Sequence, residues 1–212
     1  MDLSRPLSTV APSLDGPVLE VLARTNRMLS GRQVHQLAGV GSEGGVRLVL
    51  VRLAKTGLVH VHDAGNSQLY TLNRRHLAAD SVVRLADLRR IFLETLTSEF
   101  TDWTVPPLHA SLFGSTARGD ADLDSDVDIL VVRPASLDEL DPVWQQQTAE
   151  LSDDILELTG NHTQLYDLDT VGLLEHVASS DPIVDEWRRD AITLSGPDFG
   201  AIVRQLSSSG AS

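Results

Sequence analysis

The chain contains no cysteine. That absence excludes a disulfide framework, a thiolate zinc site and a cysteine nucleophile. Long apolar runs are missing as well. Stretches such as LVLV at 48–51 lie between Arg47 and Arg52 and are far too short to cross a bilayer. The first thirty residues carry no charged-then-apolar leader. The sequence therefore predicts a cytoplasmic protein without a membrane partner. Basic residues are in short supply, with 17 Lys+Arg against 30 Asp+Glu. At 212 residues, 42% hydrophobic and 22% charged, the chain has the composition of a folded protein of one or two domains.

The net charge of −13 is unevenly spread. Residues 1–80 hold nine Lys+Arg and six Asp+Glu, a net of +3, whereas residues 81–212 hold eight and twenty-four, a net of −16. Such asymmetry predicts two units with different partners. The acidic part repels a polyanion unless metal ions or local basic groups intervene. A nucleic acid, if bound, belongs on the N-terminal part.

Residues 1–14 hold Pro6, Pro12 and several Ser/Thr without periodicity, which predicts a mobile arm. A helical pattern begins at Pro17, with Val18, Val21 and Leu22 at three- and four-residue spacing. Ser30 is placed to cap a second helix, GRQVHQLAG, and Ser42 a third, over about 43–56, with Val46, Leu50 and Leu53 on one face. Two alternating runs, 58–62 and 68–72, joined by Asp63–Ala64–Gly65–Asn66, read as a hairpin. Three short helices and a hairpin are the parts of a winged helix-turn-helix. The stretch AGVGSEGGVRLVLVRLAKTGLV resembles the turn and recognition helix of bacterial winged-helix regulators, over roughly residues 15–75. The resemblance implies DNA contacts from Ser42, Arg47 and Arg52 on the helix and from His60, His62 or Asn66 on the wing. Winged helices also serve as dimerisation or protein-docking modules, and +3 is a weak electrostatic footprint. His60 and His62 have the spacing of half a metal site, with no third ligand near in sequence.

Residues 77–101 read as one long amphipathic helix with Val82, Leu85, Leu88, Phe92 and Leu96 on a stripe and no Gly or Pro. Such a stripe packs onto a neighbouring unit or onto a second copy, so a homodimer through this helix is an expectation. Pro106–Pro107 ends the region.

The most informative segment is LHASLFGSTARGDADLDSDVDILVV, 108–132. An apolar strand, Ala110–Phe113, ends at Gly114–Ser115, and after a polar loop Asp126-Val127-Asp128 leads into the strand Ile129–Val132. Residues i and i+2 of a strand share a face, so both carboxylates point one way. Two such carboxylates repel each other and invite a hard divalent cation, Mg²⁺ with substrate phosphates being the natural occupant. Gly114–Ser115 leaves backbone bare for a phosphate, with N–H groups and a hydroxyl as donors. A P-loop is excluded, because Asp120–Ala121 follow where Lys-Ser/Thr is required. An EF-hand is excluded, because DADLDSDVD lacks the Gly at its sixth place and the terminal Glu.

This segment resembles the signature of the nucleotidyltransferase superfamily that includes DNA polymerase β, kanamycin nucleotidyltransferase and the small bacterial minimal nucleotidyltransferases. The matching residues are Phe113-Gly114-Ser115, Arg118-Gly119-Asp120-Ala121 and Ser125-Asp126-Val127-Asp128-Ile129-Leu130, within a match from about 105 to 197. The resemblance implies that Asp126 and Asp128 hold Mg²⁺ or Mn²⁺, and that Gly114, Ser115, Arg118 and Ser125 bind a nucleoside triphosphate, ATP in the first instance. It also implies in-line transfer of AMP to a hydroxyl of a protein, RNA or small molecule. Arg118 can alternatively pair with its acidic neighbours. Relatives carry a third carboxylate on a later strand; in HTQLYDL, 162–168, that place falls on Gln164, with Asp167 the nearby carboxylate and Asp169 placed to cap the next helix. Small nucleotidyltransferases of this kind occur in toxin–antitoxin pairs.

The predicted organisation is a flexible arm at 1–14, a winged helix-turn-helix domain at 15–76, a connector helix at 77–104, a nucleotidyltransferase domain at 105–200 and a disordered tail at 201–212. The fold class is α+β: a helical-plus-wing domain, then a small mixed sheet with flanking helices. The alternative function is a DNA-binding transcriptional regulator with a degenerate, nucleotide-sensing nucleotidyltransferase fold, which Gln164 favours.

Overall fold

The computed structural model describes residues 1–65 and 67–209. They divide into two compact units: Asp2 with Ser4–Arg90, and Met1 and Leu3 with Ile91 onward. No helix among the described residues is long and apolar enough to cross a membrane.

In the first unit a 3-10 turn, Pro6–Thr9, precedes α1 (Asp15–Ala23). The expected mobile arm is therefore packed chain: Leu7 lies in the core with Val18 and Leu22, and Leu3 is buried in the cluster of the second unit. The Asp2 carboxylate braces the start by accepting from the N–H groups of Ser4 and Arg5 at 2.8 and 2.9 Å. Composition hid this, because two leucines four residues apart suffice to anchor a short segment.

A short β1 (Leu29–Ser30) leads into α2 (Gly31–Ala38). Ser30 closes a capping box: its Oγ accepts from Gln33 N at 3.3 Å, and Gln33 Oε1 accepts from Ser30 N at 2.8 Å. Ser42 Oγ likewise accepts from Gly45 N at 3.1 Å to start α3 (Glu43–Lys55), which buries Val46, Leu50 and Leu53. The hairpin is β2 (Val59–Ala64) and β3 (Ser67–Leu72), in a sheet of order β1-β3-β2. Its strands run further than expected, with Ala64 opposite Ser67. Gly65, which follows β2, has φ +63°, a left-handed conformation that glycine adopts without a steric penalty. Asn66 itself lies outside the described residues.

The single helix expected over 77–101 is two: α4 (Ala79–Ala86) and α5 (Leu88–Asp102). They part at Asp87, whose N–H reaches back to the carbonyls of Val83 and Arg84. The apolar stripe is consumed within the chain. Ala79, Val82 and Ala86 pack in the core of the first unit, while Phe92, Leu96 and Phe100 pack in that of the second.

The second unit is a four-stranded mixed sheet between helices. Its elements are β4 (His109–Phe113), α6 (Gly114–Arg118), β5 (Val127–Arg133), α7 (Pro142–Thr159), β6 (Thr163–Asp169), α8 (Thr170–Ser179), α9 (Pro182–Asp190), β7 (Ile192–Ser195) and α10 (Phe199–Ser209). The order is β6-β5-β4-β7, with β5 and β6 parallel and β4 antiparallel to both neighbours. Ala110, Leu112, Val127, Ile129 and Val131 face α5 and α7. Phe113, Leu130 and Val132 face α8, α9 and α10 through Leu173, Val184, Trp187 and Phe199. Burial on both faces explains why Ile129–Val132 is an unbroken apolar run. The expected tail is helix α10 through Ser209, anchored by buried Phe199 and Ile202; residues 210–212 lie outside the described residues.

Candidate functional site

β4 and β5 bring the segment's two motifs together. Phe113 is the register partner of Asp128, so Gly114 follows directly beside that carboxylate. Gly114 has φ +67°, and a Cβ built there would overlap Asp128 Oδ2. Glycine is required at 114 for two reasons, the left-handed backbone and the carboxylate packed against it.

Asp126 and Asp128 stand at the entrance of β5, the first exposed and the second half-buried. The backbone that presents them is pinned from both sides. Thr116 Oγ1 donates to Asp126 O at 3.3 Å, Asn161 Nδ2 donates to Ser125 O at 2.8 Å, and Val127 N donates to His162 O at 2.8 Å. Burial pushes the Asp128 carboxyl up to about 6, with the negative charges of Asp126 and Glu186 adding to the rise and Arg118 opposing it. A half-buried carboxylate with anionic neighbours has a standing electrostatic cost that a bound cation would relieve.

Gly114 and Ser115 open the short helix α6, where the sequence predicts a strand end and a polar loop. Arg118, at its end, pairs with two aspartates. Its Nε lies 3.3 Å from Asp120 Oδ2, and its Nη1 lies 2.8 Å from Asp190 Oδ2 on α9. Hydrogen bonds from Arg189, then burial acting the other way and the bond from Arg118, leave the Asp190 carboxyl at about 2. The guanidinium is therefore fixed beside the loop rather than swinging freely. The Ser125 hydroxyl donates to Asp122 Oδ1 at 2.8 Å and accepts from Asp122 N at 2.9 Å, bracing the loop.

The third-carboxylate position resolves into distinct placements. Asp128 pairs with Gln164 across the parallel β5–β6 ladder, so Gln164 shares the face of Asp128. Asp167 pairs with Val131 and faces the other side of the sheet, where it binds Arg133 Nη1 at 3.1 Å and Trp144 Nε1 at 2.8 Å. Asp169 accepts from Gly172 N at 2.7 Å and caps α8. Neither aspartate reaches the site. The charge of Glu186 on α9 contributes to the raised pKa of Asp128, and nothing local in the sequence marks it.

In the first unit, Arg47 and Arg52 are exposed on α3, Arg52 ion-paired with Asp15, while the Ser42 hydroxyl is engaged as a helix cap. Their helix also exposes Leu48 at 74% and Val51 at 39%. A groove lined by Arg32, Glu43, Arg47, Asp63 and Gln68 runs between the start of α3 and the hairpin, with charges of both signs. His60 and His62 have ring centroids 6.2 Å apart, and His62 Nε2 contacts Thr71 Oγ1 at 3.3 Å. Among the described residues no group of three or more His, Cys, Asp or Glu is gathered to hold a metal.

The family model for a nucleotidyltransferase domain matches residues 93–168. No curated protein matches the chain. Among solved structures, a mutant of the toxin–antitoxin pair MntA–HpeT is similar at 17% identity and a TM-score of 0.37, over 56% of this chain and 86% of that one. A toxin–antitoxin structure with AMP-PNP is similar at 19% identity, with the same TM-score of 0.37 and the same coverage of 56% and 86%. A putative nucleotidyltransferase from Sulfolobus solfataricus is similar at 19% identity and a TM-score of 0.26, over 50% and 82%. The segment that carries Gly114, Ser115, Asp126 and Asp128 is thus similar in sequence to nucleotidyltransferase domains.

Proposed function

We propose that the second unit transfers a nucleoside monophosphate, AMP in the first instance, from a nucleoside triphosphate to a hydroxyl of a protein, RNA or small-molecule acceptor. The observation that carries this reading is the seating of Gly114 against Asp128, within the segment that the nucleotidyltransferase model matches. It joins a bare backbone turn to a carboxylate pair, as a phosphate and its counter-ion require.

Asp126 and Asp128 fit Mg²⁺ or Mn²⁺: they are hard oxygen donors, held close by one strand entrance, and one is raised in pKa by burial and then by its anionic neighbours. Two carboxylates leave coordination places for phosphate oxygens. A cation bound there would neutralise the triphosphate and support the charge that develops on the attacking and leaving oxygens. The chain's own groups do the positioning. Gly114 and Ser115 offer N–H groups and a hydroxyl to the β/γ oxygens, and Arg118, steadied by Asp190, faces the polyphosphate as a fixed positive charge. The acceptor hydroxyl attacks the α-phosphorus in line, and pyrophosphate leaves. A protein acceptor, as in a toxin–antitoxin pair, suits a catalytic unit this small. The setting is the cytoplasm.

Residues 15–76 are read within the same proposal as a winged-helix module that binds DNA through α3 and the hairpin. The capped α2 and α3 and the β2–β3 hairpin support it. Arg47 and Arg52 are the candidate phosphate or base contacts. Gln164 beside Asp128 favours the second reading, a DNA-binding regulator whose second unit senses a nucleotide without turnover.

Two labelled forms of ATP separate these readings. Incubation with a host lysate should move label from the α position, and not from the γ position, into an acceptor fraction, and Asp128→Asn should abolish it. Retained label in Asp128→Asn, or none with the native chain, overturns the transferase reading. A gel shift with the protein's own upstream DNA, lost in Arg47→Ala/Arg52→Ala, tests the first unit.

A further inference from the structure

The first unit holds a cavity of about 520 Å³, bounded by α1, the α1–β1 loop, the end of α2 and the chain at Ser4–Arg5. Its size falls among those of small-molecule sites. Pro17, Val21, Leu29 and Leu37 supply apolar wall, and Arg5, Arg24 and Arg27 supply three cations. One carboxylate, Glu20, opposes them, so the cavity is basic in a chain whose net charge is −13. None of its lining residues belongs to the groove between α3 and the hairpin.

The arginines stand on fixed backbone. Glu20 is only 5% exposed, and its Oε1 pairs with Arg24 Nη2 at 2.5 Å. Burial pushes the Glu20 carboxyl up in pKa, and Arg24 is the charge that chiefly opposes the rise. Arg24 itself is half exposed, which leaves the other N–H groups of its fork open to a ligand. Arg74 pins the adjoining loop: its Nη2 donates to Ala23 O at 2.7 Å and its Nε to Asn26 Oδ1 at 3.0 Å. Within that loop Arg27 N donates to Thr25 Oγ1 at 3.1 Å. Arg5 is braced by Asp2 through its N–H, and its guanidinium lies beside Gly39, which caps α2. Among the described residues Arg5 and Arg27 form no ion pair.

We propose that this cavity binds a small organic acid, its carboxylate or phosphate head on Arg5, Arg24 and Arg27 and its apolar body on Val21, Leu29 and Leu37. A guanidinium offers paired N–H donors to such a head. An inorganic anion would leave the apolar wall to water, and a neutral compound would leave the cations unmatched. Buried Glu20 fixes Arg24 in place, so little side-chain ordering is lost on binding. The site uses no residue of the Asp126–Asp128 pair and does not depend on what that pair does.

The test is calorimetric titration of 2-naphthoate and 1-naphthyl phosphate into the full chain without divalent cation, with 2-naphthalenemethanol as the neutral match. The native chain should bind at least one of the anions in one-to-one stoichiometry, and the tighter one identifies the head group. Arg27→Ala and Leu37→Glu are the variants, because both side chains are exposed and neither change should alter the melting curve. Each should weaken the anion by about tenfold or more, through loss of a charge-assisted contact or gain of a like charge. Equal binding of the neutral alcohol, or native anion affinity in both variants, overturns the proposal. Absence of binding of both anions at millimolar concentration overturns it too; a DNA gel shift lost in Arg27→Ala would then assign these arginines to a phosphate backbone.

Discussion

Gly114 and Asp128 are packed so closely across the β4–β5 pair that a methyl group at 114 would occupy the space of the Asp128 carboxylate. The contact binds two distant signals of the sequence, a Gly-Ser and an Asp-x-Asp, into one object. Gly114→Ala must meet both a left-handed φ of +67° and this collision. The backbone penalty alone is about 1–2 kcal/mol, and relief requires the carboxylate to move. The expected outcome is a lower Tm together with loss of Mg-dependent nucleotide binding of at least about tenfold, equivalent to 1.4 kcal/mol. Thermal melts and calorimetry on the variant check it.

The raised pKa of Asp128, about 6, has a definite sign. Between the ordinary carboxylate range and pH 6 the folded chain holds a proton that the unfolded chain has released. Stability of the cation-free protein therefore falls as pH rises through that window, and levels off above it. Asp128→Asn should flatten this slope and raise Tm at pH 7.5. Divalent cation should stabilise the native chain more at pH 7.5 than at pH 5, where protons compete. Melting curves across pH, with and without MgCl₂, decide the matter.

Asp167 is expected to matter for stability and not for the site. Its carboxylate joins Arg133, which is 7% exposed, to the indole of buried Trp144 on the sheet face away from Asp128. Asp167→Ala strands both partners and should cost about 2–4 kcal/mol. Nucleotide affinity, measured below the lowered Tm, should stay within about twofold of native, less than 0.5 kcal/mol. A large loss of affinity at full folding would place Asp167 in the site after all.

The capping box of α2 makes a separate prediction for the first unit. Ser30→Ala removes the acceptor for Gln33 N and should cost about 1 kcal/mol. Hydrogen exchange should rise in α2, while the amides of β4 and β5 keep their protection, as befits two compact units.

Local signals were legible and packing was not. Ser30 and Ser42 announced their helices because capping is a short-range hydrogen bond, and both caps are observed. The family resemblance put Gln164 at the place of a third carboxylate, and the parallel β5–β6 register sets it opposite Asp128. The break at Asp87 was hidden, because an apolar stripe that serves two cores in turn reads as one continuous helix. The burial of Leu3 and Leu7 was masked by the prolines and hydroxyl residues around them. Asp167 looked available until Arg133 and Trp144 were seen to claim it, and the approach of α9 to the site was invisible because it depends on the packing of Trp187 and the Asp190–Arg118 pair.

The central claim is that Asp126 and Asp128 form, with Gly114–Ser115, a cation-dependent nucleotide site. The most direct measurement is calorimetric titration of the four ribonucleoside triphosphates into the native chain, with and without Mg²⁺, beside Asp126→Asn/Asp128→Asn. Binding of at least one nucleotide that requires Mg²⁺ and disappears in the double variant is the predicted result. Absence of binding to all four at millimolar concentration, or binding indifferent to both Mg²⁺ and the two aspartates, contradicts it.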